Sequence, residues 1–312
     1  MDLFQETIRF LKPDCTRPGH FLLTEPHLLY LSDDQADAYL DAMKSEAYSS
    51  SFHGPTVQII KSNLAAIFSD IGAGVSLIDL GPGYPDKSLP MVRFLKDKAV
   101  PCRYVPIDIS QPFLDLAVSH IEPFVERAYP VHEPFETCAG QIPAEIYQHT
   151  TYCMIGLTFM NFPPESLLPL LKRIAGDRGR VIIASELLTA QKTSEAVLMS
   201  YRTKEAQAVG FGPLRHLGIR ENDVTYRPIF ANGRVELHYR LEREPDRALQ
   251  AAGLTSGHTI VTAVSYRYTH EQLEQLLGQY FDSYKVFPFH DGGEAVAVGQ
   301  NQARRGLGPA SS

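Results

Sequence analysis

VSLIDLGPG, Val75 to Gly83, decides the fold. Its first six residues form a short run rich in branched apolar side chains, as in a buried strand, and Gly81-Pro82-Gly83 ends that run abruptly. Working outward, KSLPMVRFL (87–95) has helical character apart from Pro90, and CRYVPIDI (102–109) reads as a second strand with Asp108 at its end. SQPFLDLAVSHI (110–121) follows as a helix, with Ser110 at its N-cap and a proline in its first turn. TYCMIGLTF (151–159) is then a strand, PPESLLPLLKRI (163–174) a helix and GRVIIASEL (179–187) a strand. Strands alternating with helices are parallel βαβ units, so the expected fold is α/β, with an open, doubly wound, Rossmann-like sheet.

The flanks differ. On the N-terminal side a helix is expected around Asp33 to Met43, before any sheet begins, and another from Val57 to Phe68. Beyond Glu186 a single long helix is expected over TSEAVLMSYRTKEAQAV (193–209). Two strand-like segments then surround Asn232-Gly233, a strong hairpin signal, and HTIVTAVSYRY (258–268) supplies a third. The helix THEQLEQLLGQY and the strands YKVFPFH and AVAVG return to the first rhythm and are expected to rejoin the first sheet. The domain reading is therefore a core from 52–190 and 266–300, a smaller α+β domain from 1–51 and 191–265, and a flexible tail at 301–312.

With 312 residues, 44% apolar and 21% charged, the chain can bury a large core. A net charge of −7 argues against a partner that is nucleic acid or an anionic membrane and favours a small molecule. The start of the chain lacks the pattern of a signal peptide and no run is long enough to span a bilayer, so the expectation is a soluble cytoplasmic protein, a monomer or weak dimer. Cys15, Cys102, Cys138 and Cys153 form no C-x-x-C pair and are expected to be reduced and buried. The eleven histidines lack metal-binding spacings, so no metal is expected. Fifteen tyrosines accompany a complete absence of tryptophan.

The chemistry gathers at strand ends. Gly81 and Gly83 let a ligand approach bare backbone, and Asp108, ending the next strand, is placed to accept hydrogen bonds from both hydroxyls of a ribose. The third glycine of the dinucleotide fingerprint is missing, and so is the phosphate-cradling P-loop pattern. A ribose and a carboxylate without a pyrophosphate are what S-adenosylmethionine presents, and Lys87 could answer that carboxylate. The same residues also suit an ordinary βα turn followed by a capping aspartate.

Six blocks in one order resemble the ergothioneine-pathway histidine-specific Nα-methyltransferases and their fungal relatives that methylate a prenylated tryptophan. LIDLGPGYPDKS is similar to the family's strand and L-G-S-G-x-x-x-K-T, which implies cofactor contacts at Gly81 and Lys87. YVPIDIS resembles Y-V-P-x-D-V-S and implies a ribose contact at Asp108. GLTFMNF resembles G-S-T-I-G-N-F, placing Asn161 on the amino and carboxylate groups of the substrate, and Tyr201 keeps the spacing of a tyrosine that shares this task. VELHYRL resembles I-E-M-H-L, and GHTIVTAVSYRY resembles G-E-x-I-x-T-E-x-S-x-K-Y. More thinly, Tyr30 and Tyr48 align with tyrosines near the substrate. Ordinary packing fits each of these two equally well.

Departures from the family set the expected specificity. Where the family has the glutamate that receives the imidazole of histidine, this chain has Ala263, while Ser265 is kept; Leu237 replaces a methionine. Losing a charge-assisted hydrogen bond costs about 1.5–3 kcal/mol. Free histidine is therefore not the expected substrate, and a bulkier or less polar amino acid is. The family's G-D-F, whose acid meets adenine, has no clear counterpart; Glu136 is the nearest acid. The resulting expectation is an S-adenosylmethionine-dependent N-methyltransferase acting on the α-amino group of an amino acid or close derivative, with no general base assigned. One rival methylates a side-chain nitrogen such as a guanidinium, with Glu186 or Glu205 as the acid. Another is a silent ligand-binding homologue, and a nicotinamide dehydrogenase is more distant still.

Overall fold

The structure, a computed structural model, describes residues 2–32, 34–36, 39, 54–69 and 71–300. Tyr48, the 301–312 tail and most of the helix expected between Asp33 and Met43 lie outside the described residues. Backbone contacts divide the chain into two compact units. The first comprises Met1–Gly54, Met160–Pro163 and Glu186–Thr269; the second comprises Pro55–Phe159, Pro164–Ser185 and His270–Ser312.

The second unit is built on an eight-stranded sheet. Its spatial order is Ser283–Pro288, Glu294–Gln300, Arg180–Glu186, Thr150–Ile155, Val75–Leu80, Cys102–Asp108 and Arg127–Ala128, with Val131–His132 also pairing to Cys102–Asp108. Every residue of Val75–Leu80 is buried, because parallel neighbours flank it and helices cover both faces of such a sheet. The pairs from Arg180 to Val131 that run through it are parallel, and Ser283–Pro288 runs antiparallel to Glu294–Gln300. This is a mixed α/β, Rossmann-like fold. Helix Gly54–Ile67 is pinned to this sheet by Thr56, whose hydroxyl donates to Glu294 Oε2 at 2.7 Å.

The first unit carries a five-stranded sheet, ordered Lys12–Pro13, His20–Leu22, Thr259–Tyr266, Arg234–Leu241 and Val224–Ala231. The hairpin at Asn232-Gly233 forms as expected, with φ of +52° and +72°. Two expectations fail here. The sheet starts before the region of the N-terminal helix, since His20–Leu22 pairs in parallel with Thr259–Val261; strands of two and three residues carry no readable period. The long helix from 193 is two, Ser194–Tyr201 and Lys204–His216, because Thr203 breaks it and caps the second piece by accepting from the Ala206 N–H.

Glu236 ties the N-terminal segment to this sheet. Fully buried, it accepts from Arg17 at 2.6 Å, Arg234 at 2.7 Å and His238 Nε2 at 2.9 Å. Burial alone would raise its pKa, but His238, Arg17 and Arg234 override that and hold it at about 2. Cys102, Cys138 and Cys153 are buried as expected, whereas Cys15 is exposed because it lies in the turn before His20.

Gly179 leads into the buried strand Arg180–Glu186, and a Cβ there would come within 2.0 Å of the Ala175 carbonyl oxygen. Backbone cannot yield as a side chain can. Gly179→Ala should lower stability by about 1–3 kcal/mol in urea denaturation, against the usual small gain from replacing glycine.

Candidate functional site

Register creates the first half of the site. Leu80 pairs with Ile107 on one side and Ile155 on the other, so Gly81, Asp108 and Gly156 leave the sheet at one level. Gly81 (φ +63°) and Gly83 (φ +51°) are both left-handed, a conformation that glycine adopts without strain. The Gly81 turn is also crowded: a Cβ there would lie 3.3 Å from Phe135 and 3.4 Å from Thr158 Oγ1.

Asp108 is 6% exposed, and its Oδ1 accepts the Ser110 N–H at 2.9 Å. Ser110 holds the N-cap position without a side-chain capping bond. Burial pushes the Asp108 carboxyl up to about 7, only partly offset by the Ser110 and Ile109 N–H groups. No cation pairs with it among the described residues. A buried carboxyl short of donors at the end of a strand fits a ribose diol, whose two hydroxyls supply them.

Asp79 was not singled out in the sequence. It lies fully buried inside the strand and accepts from Tyr104 Oη at 2.8 Å and from the Ser88 hydroxyl. Burial raises it to about 6 against those two hydrogen bonds. Its signal was visible as an acid inside an otherwise apolar strand. Ser88 opens helix Ser88–Asp97, so Asp79 anchors the far end of the glycine turn. Lys87 is buried, pairs with Asp86 at 3.0 Å, and runs its stem over Gly156, where a Cβ would meet its Cε at 3.2 Å. Glu136 is exposed.

The other candidate residues belong to the first unit. Leu237 and Ala263 are cross-strand partners, as are Val235 and Ser265, so Leu237, Ala263 and Ser265 share one face of the sheet. Helix Lys204–His216 packs on Leu237: a Cβ on Gly210 would come within 2.7 Å of its Cδ1, and the nearby Tyr239 hydroxyl donates to Gln207 O at 2.6 Å. Tyr201 ends the preceding helix, half-buried against the same apolar cluster as Ala263. Asn161 follows Met160, whose sulfur accepts the Glu186 N–H at 3.3 Å. Tyr30 packs edge-to-face on Tyr39 at 5.5 Å.

Sequence reasoning missed the hub of this group. Arg267 is fully buried; it donates to Ser265 Oγ (2.7 Å), Tyr266 O (2.9 Å) and Tyr201 Oη (2.8 Å), and its guanidinium forms an ion pair with Glu186 Oε2 at 2.6 Å. Glu186 is buried as well and also pairs with Lys192. Two cations thus meet on one carboxylate. A basic residue two places after Ser265, on the same strand face, was the available signal.

A parallel sheet whose glycine turn and buried aspartate meet at one edge suits a cofactor that carries a ribose. Residues 55–287 match the family of histidine-specific, S-adenosylmethionine-dependent methyltransferases, and the chain belongs to that family. No curated protein matches the sequence. Among solved structures it is similar to the CMeT domain of the citrinin polyketide synthase (12% identity, TM-score 0.48), covering 86% of this chain but only 57% of that one. It is also similar to DhpI in complex with S-adenosylhomocysteine (9%, TM-score 0.45), covering 90% of this chain and 100% of that one. A third is an S-adenosylmethionine-dependent methyltransferase from Anabaena variabilis (14%, TM-score 0.45), covering 88% and 97%.

The Asp108 pKa gives a pH test. Its ionised form is the better acceptor for two hydroxyls, and in the free protein that form dominates only above about pH 7. The affinity for S-adenosylhomocysteine, measured by calorimetry, should therefore rise from pH 6 to 8, by at most about tenfold per unit. Asp108→Asn should bind weakly with no such slope; a slope retained in that variant would move the titration to Asp79.

Proposed function

We propose that this methyltransferase methylates the α-amino nitrogen of a free amino acid, or a close derivative, other than histidine. The observation that carries this reading is Ala263 paired with Leu237 beside Ser265, where the family resemblance implies a glutamate and a methionine. Without that carboxylate, an imidazole loses a charge-assisted hydrogen bond.

Bound S-adenosylmethionine supplies a methyl group activated by a positive sulfur. On this reading Asp108 holds the ribose, Gly81 and Gly83 give it close access to backbone, and Lys87 meets the carboxylate. Asn161 and Tyr201 hold the amino acid's α-amino and carboxylate groups, with Tyr30 and Tyr48 as further contacts. An ammonium has no lone pair, so the amine must lose its proton before attack, and positioning by these neutral polar groups is the main catalytic contribution. On this reading the cofactor core is the expected 52–190 and 266–300 and the substrate domain the expected 1–51 and 191–265, with 160–163, 186–190 and 266–269 passing to the substrate domain because they pack in the first unit. The partner is a small molecule, and a cytoplasmic monomer or weak dimer suits this role. No helix among the described residues is long and apolar enough to cross a membrane.

Side-chain methylation with an acidic base is the weaker reading. Glu186 is engaged by Arg267 and Lys192, and Glu205 is exposed. Incubating the protein with labelled cofactor and a panel of amino acids, then fragmenting the products by mass spectrometry, locates the added methyl; label on a side chain would overturn the α-amino assignment. Absence of any calorimetric binding of the cofactor would favour the silent homologue. Ala263→Glu, with Leu237→Met, should raise histidine turnover by about one to two decades, the worth of the restored hydrogen bond.

A further inference from the structure

Hydroxyl groups can point their proton either way, and what touches the oxygen decides which. Arg267 is donor-only, and its Nη1 and Nη2 reach Ser265 Oγ at 2.7 Å and Tyr201 Oη at 2.8 Å. Both oxygens must therefore accept from it. Each then has its own O–H left to donate, and neither proton has an acceptor among the described residues. Arg267 is held in this place by its hydrogen bond to Tyr266 O and by its ion pair with Glu186, which also pairs with Lys192.

We infer that Arg267 is a positioning residue that fixes Ser265 and Tyr201 as hydrogen-bond donors, so that the pocket beside Ala263 selects an amino acid whose side chain ends in an acceptor, with a carboxylate preferred. This rests on the α-amino reading above and names its substrate class. Two observations agree with it. Leu237 and Ala263 provide an apolar wall for the stem of the side chain and no carboxylate for a cationic tip. Ser265, two residues from Ala263 on one strand face, is spaced to meet the far end of such a side chain. Histidine can offer these hydroxyls one ring nitrogen as acceptor, but its ring N–H finds no carboxylate at Ala263.

The test uses matched pairs of amino acids that differ in the sign of the tip: L-glutamate against L-2,4-diaminobutyrate, and 4-carboxy-L-phenylalanine against 4-aminomethyl-L-phenylalanine. Binding to the full chain saturated with S-adenosylhomocysteine is measured by calorimetry, and methylation by mass spectrometry. In at least one pair the carboxylate should bind about tenfold to a hundredfold tighter. Arg267→Lys, still donor-only, should keep that ratio. Arg267→Gln, which can accept as well as donate, should bring it towards one, and so should Ser265→Ala, which leaves the buried charges in place. A ratio unchanged in both Arg267→Gln and Ser265→Ala, or tighter binding of the amino partners, overturns the inference while α-methylation of any panel member leaves the proposed function standing. If the protein binds S-adenosylhomocysteine but neither binds nor methylates any amino acid, both fall.

Discussion

Parallel register is the constraint on which the edge of the larger sheet rests. A single residue at the end of one strand has no value as a binding group unless its neighbours end at the same height. Here Leu80 is matched to Ile107 and to Ile155, and the glycine turn, the aspartate and Gly156 follow as a row. A slip of one residue would carry Asp108 to the opposite face of the sheet. The hydrophobic runs that fix the register therefore also set the chemistry of the edge. Packing and function are in this respect specified by the same side chains, and the six buried residues of Val75–Leu80 serve both.

The two units handle buried charge in opposite ways. At the sheet edge, burial outweighs the groups that favour ionisation and raises Asp79 and Asp108 to about 6 and 7, so both carboxyls respond to what is bound beside them. In the first unit, Glu236 and Glu186 are each held by at least two cationic or ring N–H groups, and Glu236 falls to about 2. The first arrangement leaves carboxyls responsive. The second makes rigid struts, and leaves the orientation of neighbouring hydroxyls determined by Arg267.

Much of this could be read in advance, for identifiable reasons. The α/β alternation, the turn at Asn232-Gly233 and Asp108 all carry local signals: a period, a turn dipeptide, a polar residue ending an apolar run. The strand His20–Leu22 carries none, since three residues have no period and its partner Thr259–Val261 lies far along the chain. The break at Thr203 was hidden because the flanking residues are good helix formers on both sides. Arg267 was hidden for a different reason. A lone arginine in a strand reads as an exposed charge, and only the convergence of Glu186, Tyr201 and Ser265 from three separate segments turns it into a buried hub.

The edges of the two sheets share one property. In the five-stranded sheet the outer strands are Lys12–Pro13 and Val224–Ala231, and the second carries Pro228 opposite Leu237. In the larger sheet one outer strand, Ser283–Pro288, ends in proline, and the other, Arg127–Ala128, spans two residues. A proline offers no N–H to an incoming strand, and a two-residue edge offers almost no template. Each sheet thus ends in a form that resists extension by another chain, which protects a protein with this much β-structure from edge-to-edge aggregation during synthesis and storage.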